Sequence, residues 1–127
     1  MNTLENIVNE LKQINPTIGA VTIYNWQQNQ IIYQSPEWDI VQDLGTILTT
    51  WTEGGPSIMV QGIKYSTLQC TPERLVCQNL QGQGAIVGAN YQNTIIIIAW
   101  VSADGPPGDA YRDLTRALDK IKQASGL

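Results

Sequence analysis

Apolar and polar residues alternate along this chain with two distinct periods. Leu4, Ile7, Val8, Leu11 and Ile14 recur at helical spacing on one face, behind a capping residue at Thr3. Asn15-Pro16 closes the run, because the residue before a proline avoids the α region. This spacing predicts a helix over 3–15. The period then shortens. Residues 18–24 and 30–34 read as the two strands of a hairpin around the polar turn Asn25-Trp26-Gln27-Gln28-Asn29, whose tryptophan is expected at an exposed tip. Ser35-Pro36-Glu37 has the order of a helix start, with a capping hydroxyl, a first-turn proline and an acid at the positive end of the dipole. A second helix is predicted from there to about residue 52, buried along Ile40, Val41, Leu44, Ile47, Leu48 and Trp51 and stopped by Glu53-Gly54-Gly55-Pro56.

From residue 57 to 101 no helical period returns. Turn residues at Gly62, Thr71-Pro72-Glu73, Gln81-Gly82-Gln83 and Asn90-Tyr91-Gln92-Asn93 cut this length into strands over 57–61, 63–70, 74–80, 84–89 and 94–101. Ile95-Ile96-Ile97-Ile98 has no polar alternation, so its strand must be covered on both faces. A breaker-rich loop, 104–108, leads to a last helix capped by Asp109 and running to about residue 124. Leu114, Leu118 and Ile121 point inward, Ala110 and Ala117 lie at the margins, and Arg112, Arg116 and Lys120 stand opposite. Short connections favour antiparallel pairing. The expectation is one α+β domain over 1–127: an antiparallel sheet of about seven strands, the N- and C-terminal helices on one face and a further helix on the other.

Charge and cysteine content narrow the function. Eleven acids against seven bases give a net charge of −4, which speaks against nucleic-acid and anionic-membrane binding. Bases concentrate in the last helix, at Arg112, Arg116, Lys120 and Lys122, so an anionic partner would meet the chain there. The N-terminus lacks the apolar core of a secretory leader, and the apolar run 95–101 is too short to span a bilayer, so a cytoplasmic protein is expected. Cys70 and Cys77 could face each other across a hairpin turning at 71–76, but a cytosolic setting favours reduced, buried thiols.

No catalytic constellation emerges. The chain has no histidine, so the commonest general base and the usual partner of a cysteine nucleophile are missing, and no zinc set can form. Gly82-Gln83-Gly84 lies between strands rather than opening a helix, and Val87 occupies the position where a dinucleotide loop needs a small residue. Glu37, Asp39 and Asp43 read as a solvated helix face. No cofactor is expected, and the chain reads as a binding module rather than an enzyme.

The series Val60-x-Gly62-x-Lys64-Tyr65, Leu68-Gln69, Gly82-x-Gly84, an apolar strand, and then Pro107-Gly108 before a C-terminal helix resembles the profilin family. The first half fits too, with an amphipathic helix, a hairpin ending at Gln34-Ser35 and Pro36-Glu37 opening a helix. The departures noted below suggest a divergent member, archaeal in character. The resemblance implies a monomer that binds monomeric actin and regulates its polymerisation, associated with the cytoskeleton. Carried over by position, it implies actin contacts at Val60, Lys64, Ser66, Gln69, Gln78, Gly108, Tyr111, Arg112 and Arg116. Profilins also hold proline-rich peptides on aromatic side chains of the terminal helices and first hairpin. The matching positions here are Thr3, Asn6 and Ile32, none of them aromatic, so binding of plain polyproline should be weak or absent. Trp26 and Tyr33 leave a proline-rich protein on a non-standard surface as an open partner, while the net charge speaks against phosphoinositide lipids. The alternative is a roadblock-like domain, a dimeric scaffold for small GTPases, which has three strands after its middle helix where profilin has five.

Overall fold

The computed structural model describes residues 3–36 and 38–125. Helix α1 (Thr3–Ile14) is followed by strands β1 (Ile18–Asn25) and β2 (Gln30–Gln34), helix α2 (Val41–Glu53), strands β3 (Ser57–Val60), β4 (Ile63–Thr71), β5 (Arg74–Gln78), β6 (Ala85–Tyr91) and β7 (Ile95–Val101), and helix α3 (Pro107–Ser125). The strands form one sheet in the order β2-β1-β7-β6-β5-β4-β3, every neighbouring pair antiparallel. The five strands after residue 56 are those expected of profilin, and the roadblock alternative is set aside.

The doubly apolar strand lies near the middle of the sheet, as its sequence requires. Ile95, Ile97, Ala99 and Val101 join the core beneath α1 and α3, whereas Ile96 and Ile98 join a second core beneath α2. The α1 and α3 stripes meet in the first core through Ile7, Val8, Leu11, Leu114, Leu118 and Ile121. In the second, the Trp51 ring lies directly on β6 at Gly88. A Cβ there would come within 2.7 Å of the indole, so only glycine admits it.

Local rules misplace several details. Helix α2 starts at Val41 rather than at Ser35-Pro36-Glu37. Ser35 is drawn into the sheet instead: its N–H donates to Val21 O and its hydroxyl accepts from Val21 N, both at 2.9 Å, which removes the oxygen a cap would need. Glu37 lies outside the described residues. Trp38 and Ile40 anchor the approach to the helix, and the Asp39 carboxylate accepts from Val41 N at 3.0 Å. Val41 and Ile14, expected inward, are each 57% exposed, at the start of α2 and the end of α1. Helix α3 begins at Pro107, so Asp109 is a first-turn acid and not the cap. At the far end of α2, Gly54 takes a φ of 75° and its N–H closes on Thr50 O at 2.8 Å.

Polar side chains fasten the layers. Asn15 is buried at the end of α1; its Nδ2 donates to Asp113 Oδ2 at 3.0 Å and its Oδ1 accepts from Thr17 N at 3.1 Å, joining both terminal helices to the start of β1. Two buried polar atoms among the described residues are exceptions, the Thr22 hydroxyl and Arg74 Nε, neither of which has a hydrogen-bond partner. A buried hydroxyl without a partner opposes folding. Thr22→Val is therefore expected to stabilise the protein by about 1–2 kcal/mol in urea denaturation; a loss of stability would show that the hydroxyl is satisfied in solution.

Candidate functional site: an uncovered sheet face

Helix α3 packs over β6 and β7 and reaches Val76 in the middle of β5, and α1 packs over β1, which leaves the same side of β3, β4 and the ends of β5 bare. Alternation decides which side chains stand there. Ile58, Val60, Ile63 and Tyr65 turn toward α2, so Met59, Lys64 and Ser66 turn the other way. On β5, Leu75 and Cys77 belong to the α2 core and Arg74, Val76 and Gln78 turn the other way, where Val76 is buried under α3 and Arg74 and Gln78 reach the bare side. Strict alternation would send Gln69 to the α2 side. A bulge between Thr67 and Gln69 breaks the register, so that Gln69 pairs with Val76 and shares the face of Lys64 and Ser66.

Of the predicted actin contacts, Lys64, Ser66, Gln69 and Gln78 thus lie together on one surface. Val60 does not. It is 2% exposed under α2, because its alternation with Ile58 turns it inward, and it is withdrawn from the set. The start of α3 borders the same surface. The Arg74 guanidinium carbon stacks 4.3 Å from the Tyr111 ring centroid, and the Tyr111 hydroxyl donates to Glu73 O at 3.4 Å. Gly108 is exposed beside this stack; a Cβ built on it would stand 4.0 Å from Arg74 Nη2. Arg112 is exposed but lies 3.6 Å from both Asp109 and Asp113, so part of its charge is answered within its own helix. Arg116 lies a turn farther on, in a shallow groove with Ile7, Ile14 and Lys120 along α1, on the side of α3 away from β3, β4 and β5, and the fold does not bring it to this surface.

Residues that sequence patterns did not single out complete the face. Arg74 reads locally as the first residue of a strand, and only its pairing with Tyr111 across the fold gives it a place. Met59, Leu68 and Leu80 are large, apolar and 46%, 54% and 79% exposed. Leu80 borders a cleft of about 440 Å³ that Lys64 and Ser66 also line. Asn79 holds that border: its Oδ1 accepts from Gln81 N at 2.8 Å and Gln83 N at 3.1 Å, while its Nδ2 donates to Lys64 O at 2.9 Å. Leu80, next to a glycine-rich loop, was the available sequence signal. The arrangement offers apolar anchors, amides and cations on a firm backbone, which suits recognition of a protein surface.

The other predicted peptide site lacks walls. Thr3 and Asn6 are exposed on α1 and Ile32 is half-buried against the terminal-helix core. Between the helices there is only a crevice of about 20 Å³, and Lys120 and Glu10 form an ion pair across them. Trp26, expected at an exposed tip, is half-buried against the α2 core. The thiols are free and do not face each other, since Cys70 is opposite Leu75 and Cys77 opposite Thr67. Among the described residues no group of acids and cysteines could hold a metal, and no helix is long and apolar enough to cross a membrane.

No protein-family model matches the chain. Individual relatives do. Odin profilin from Odinarchaeota yellowstonii (strain LCB_4) is 35% identical over 122 residues, covering 94% of this chain and 98% of the relative. Thor profilin from Thorarchaeota archaeon (strain AB_25) is 31% identical over 98 residues, 76% of this chain and 77% of the relative. Among solved structures, LokiProfilin2 in its complex with rabbit actin superposes with a TM-score of 0.86 at 25% identity, over 95% of this chain and 97% of that one. Schizosaccharomyces pombe profilin shares the fold, with a TM-score of 0.77 at 15% identity over 98% of this chain and all of that one (100%). The seven-stranded sheet with terminal helices on one side is thus the profilin fold. The chain belongs to the profilin family, and Odin and Thor profilins are archaeal.

Burial pushes the Cys77 thiol from its ordinary 9.0 up to about 11. Below 9.0 the thiol is protonated in both states and its contribution to stability is complete. As pH rises through the window from 9.0 to about 11 the unfolded chain ionises first, and that contribution is lost. Native protein should therefore leave Cys77 unalkylated at neutral pH and lose stability above pH 9.0, a loss that Cys77→Val reduces. Rapid alkylation of Cys77 in the folded state would contradict this burial.

Proposed function

We propose that this chain binds monomeric actin on the uncovered face of β3, β4 and β5 and the start of α3, and so regulates actin polymerisation. The observation that carries the reading is the bare face itself, in a fold that superposes on a profilin solved in complex with actin. Lys64, Ser66, Gln69, Gln78, Gly108, Tyr111 and Arg112 form the contact set, with Arg116 farther along the same helix on its α1 side. Arg74, Met59 and Leu80 are added because they occupy the same face. The activity is one of binding rather than of an enzyme, and the setting is the cytoplasm, beside the cytoskeleton. Conventional polyproline binding is weak or absent, since aliphatic and charged side chains line the crevice between the terminal helices.

Excess protein is expected to slow spontaneous polymerisation of its cognate actin in a fluorescence assay. Folded protein without effect at several-fold excess would refute the reading. Combining Arg112→Glu with Arg116→Glu should weaken actin binding by about 1–3 kcal/mol, with most of the loss arising at Arg112. Equal affinity for wild type and double variant would remove α3 from the interface. Titration with plain polyproline should leave the backbone amide resonances of Thr3, Asn6 and Ile32 unmoved; saturable shifts there would restore the terminal site.

A further inference from the structure

At the opposite end of β4 from Lys64 a second cleft of about 440 Å³ opens on the α2 side, and no residue of the proposed actin surface lines it. Four segments converge there. The β1–β2 turn supplies Trp26, the end of α2 supplies Trp51 and Glu53, the β4–β5 hairpin supplies Cys70 and Pro72, and β6 supplies Asn90. Its volume falls in the range of small-molecule sites, roughly 300–1,000 Å³.

The walls are fixed. The Trp51 ring rests on Gly88 and its Nε1 donates to Thr71 O at 2.7 Å. The backbone of Trp26 is tied to the neighbouring turn, its main-chain N–H donating to Thr94 O at 2.9 Å. The Asn90 amide is fully engaged, donating to Pro72 O at 3.0 Å and to Asn93 Oδ1 at 2.8 Å while its own oxygen accepts from Asn93 N at 3.0 Å. It braces two turns rather than waiting for a ligand.

The electrostatics are one-sided. The carbonyl end of α2 carries the negative end of the helix dipole, which usually attracts a basic residue. Here the last turn has none, and Glu53 adds an anion at that end. No lysine or arginine lines the cleft among the described residues. A bare metal ion is a poor match, because no cluster of ligands exists among those residues. Indole faces attract weakly hydrated organic cations instead.

We propose that this cleft binds an organic cation, an alkylated ammonium or guanidinium group, against the half-buried Trp26 ring, with the buried Trp51 ring as a wall of the cleft and Glu53 as counter-charge. The cation fills the position left empty at the end of α2. The group can arrive as a free small molecule or as a side chain of a partner protein, and the chemistry recognised is the same.

The test titrates the folded chain with choline, with the uncharged carbon isostere of choline in which tert-butyl replaces trimethylammonium, and with the tripeptide Gly-Arg-Gly. Indole N–H resonances of the four tryptophans report the site. Choline or the peptide should shift Trp26 and Trp51 saturably and leave Trp38 and Trp100 in place. Tighter binding of choline identifies a small-molecule site, and tighter binding of the peptide a site for a partner's side chain. Glu53→Gln should weaken binding about threefold to tenfold, and Trp26→Leu by about tenfold or more. Glu53→Lys supplies a tethered cation, so it should abolish binding and raise the melting temperature. Carbon isostere binding as tightly as choline would reduce the cleft to an apolar hollow and overturn the proposal. Absence of saturation by either cation would do the same, as would Glu53→Gln binding choline as wild type does.

Discussion

The fold depends on one strand that has no side to show to water. Ile95 to Val101 places isoleucines on both faces of the sheet, and burying each such side chain contributes about 1.5–3 kcal/mol. A strand of this kind must have helices above and below it. Three helices are available: α1 and α3 gather over β1 and the middle of the sheet, and α2 covers the opposite face toward β3 and β4. What remains is the side of β3, β4 and β5 away from α2. That bare face follows from the same constraint: the helices on its side are spent on β1, β6, β7 and the middle of β5, and the polar residues on that side of β4 and at the ends of β5 do not call for cover.

Two cores of different character result. The core under α1 and α3 is built almost wholly of aliphatic side chains, with tyrosines at its margin. The core under α2 contains Tyr24, Trp38, Trp51 and Tyr65, with Trp26 and Trp100 at its edges. Large flat rings pack closely against a sheet only where the backbone gives way, as at Gly88. They also leave clefts at their margins, whereas the aliphatic core fills its space and leaves only a crevice. The proposed cation site and the poor terminal peptide site reflect this one difference in composition.

Much of this architecture was legible in the sequence, because local periodicity and burial agreed. The stripes of α1 and α3, the first hairpin and the unbroken isoleucine run each have one sensible reading. The failures occur where a distant residue competes for a local group. Ser35 has the sequence of a cap, but Val21 claims its hydroxyl. Val60 belongs to the strand expected, yet the side to which it turns depends on where α2 lies. Gln69 joins its face only through a bulge, which no hydrophobic pattern announces. Arg74 is anonymous until Tyr111 arrives from α3, well over thirty residues away in sequence. Position along strands was readable; orientation across the sheet was not.

The two outermost strands, β2 and β3, span Gln30–Gln34 and Ser57–Val60, and are among the shortest in the sheet. An open edge is a template on which a second chain can add hydrogen-bonded strand, and its hazard grows with its length. Here each edge offers about one or two unpaired peptide groups per side before the chain turns away. The molecule is therefore a poor seed for its own stacking into fibres, even when crowded. A protein proposed to keep the subunits of a filament apart is thus itself protected from becoming one.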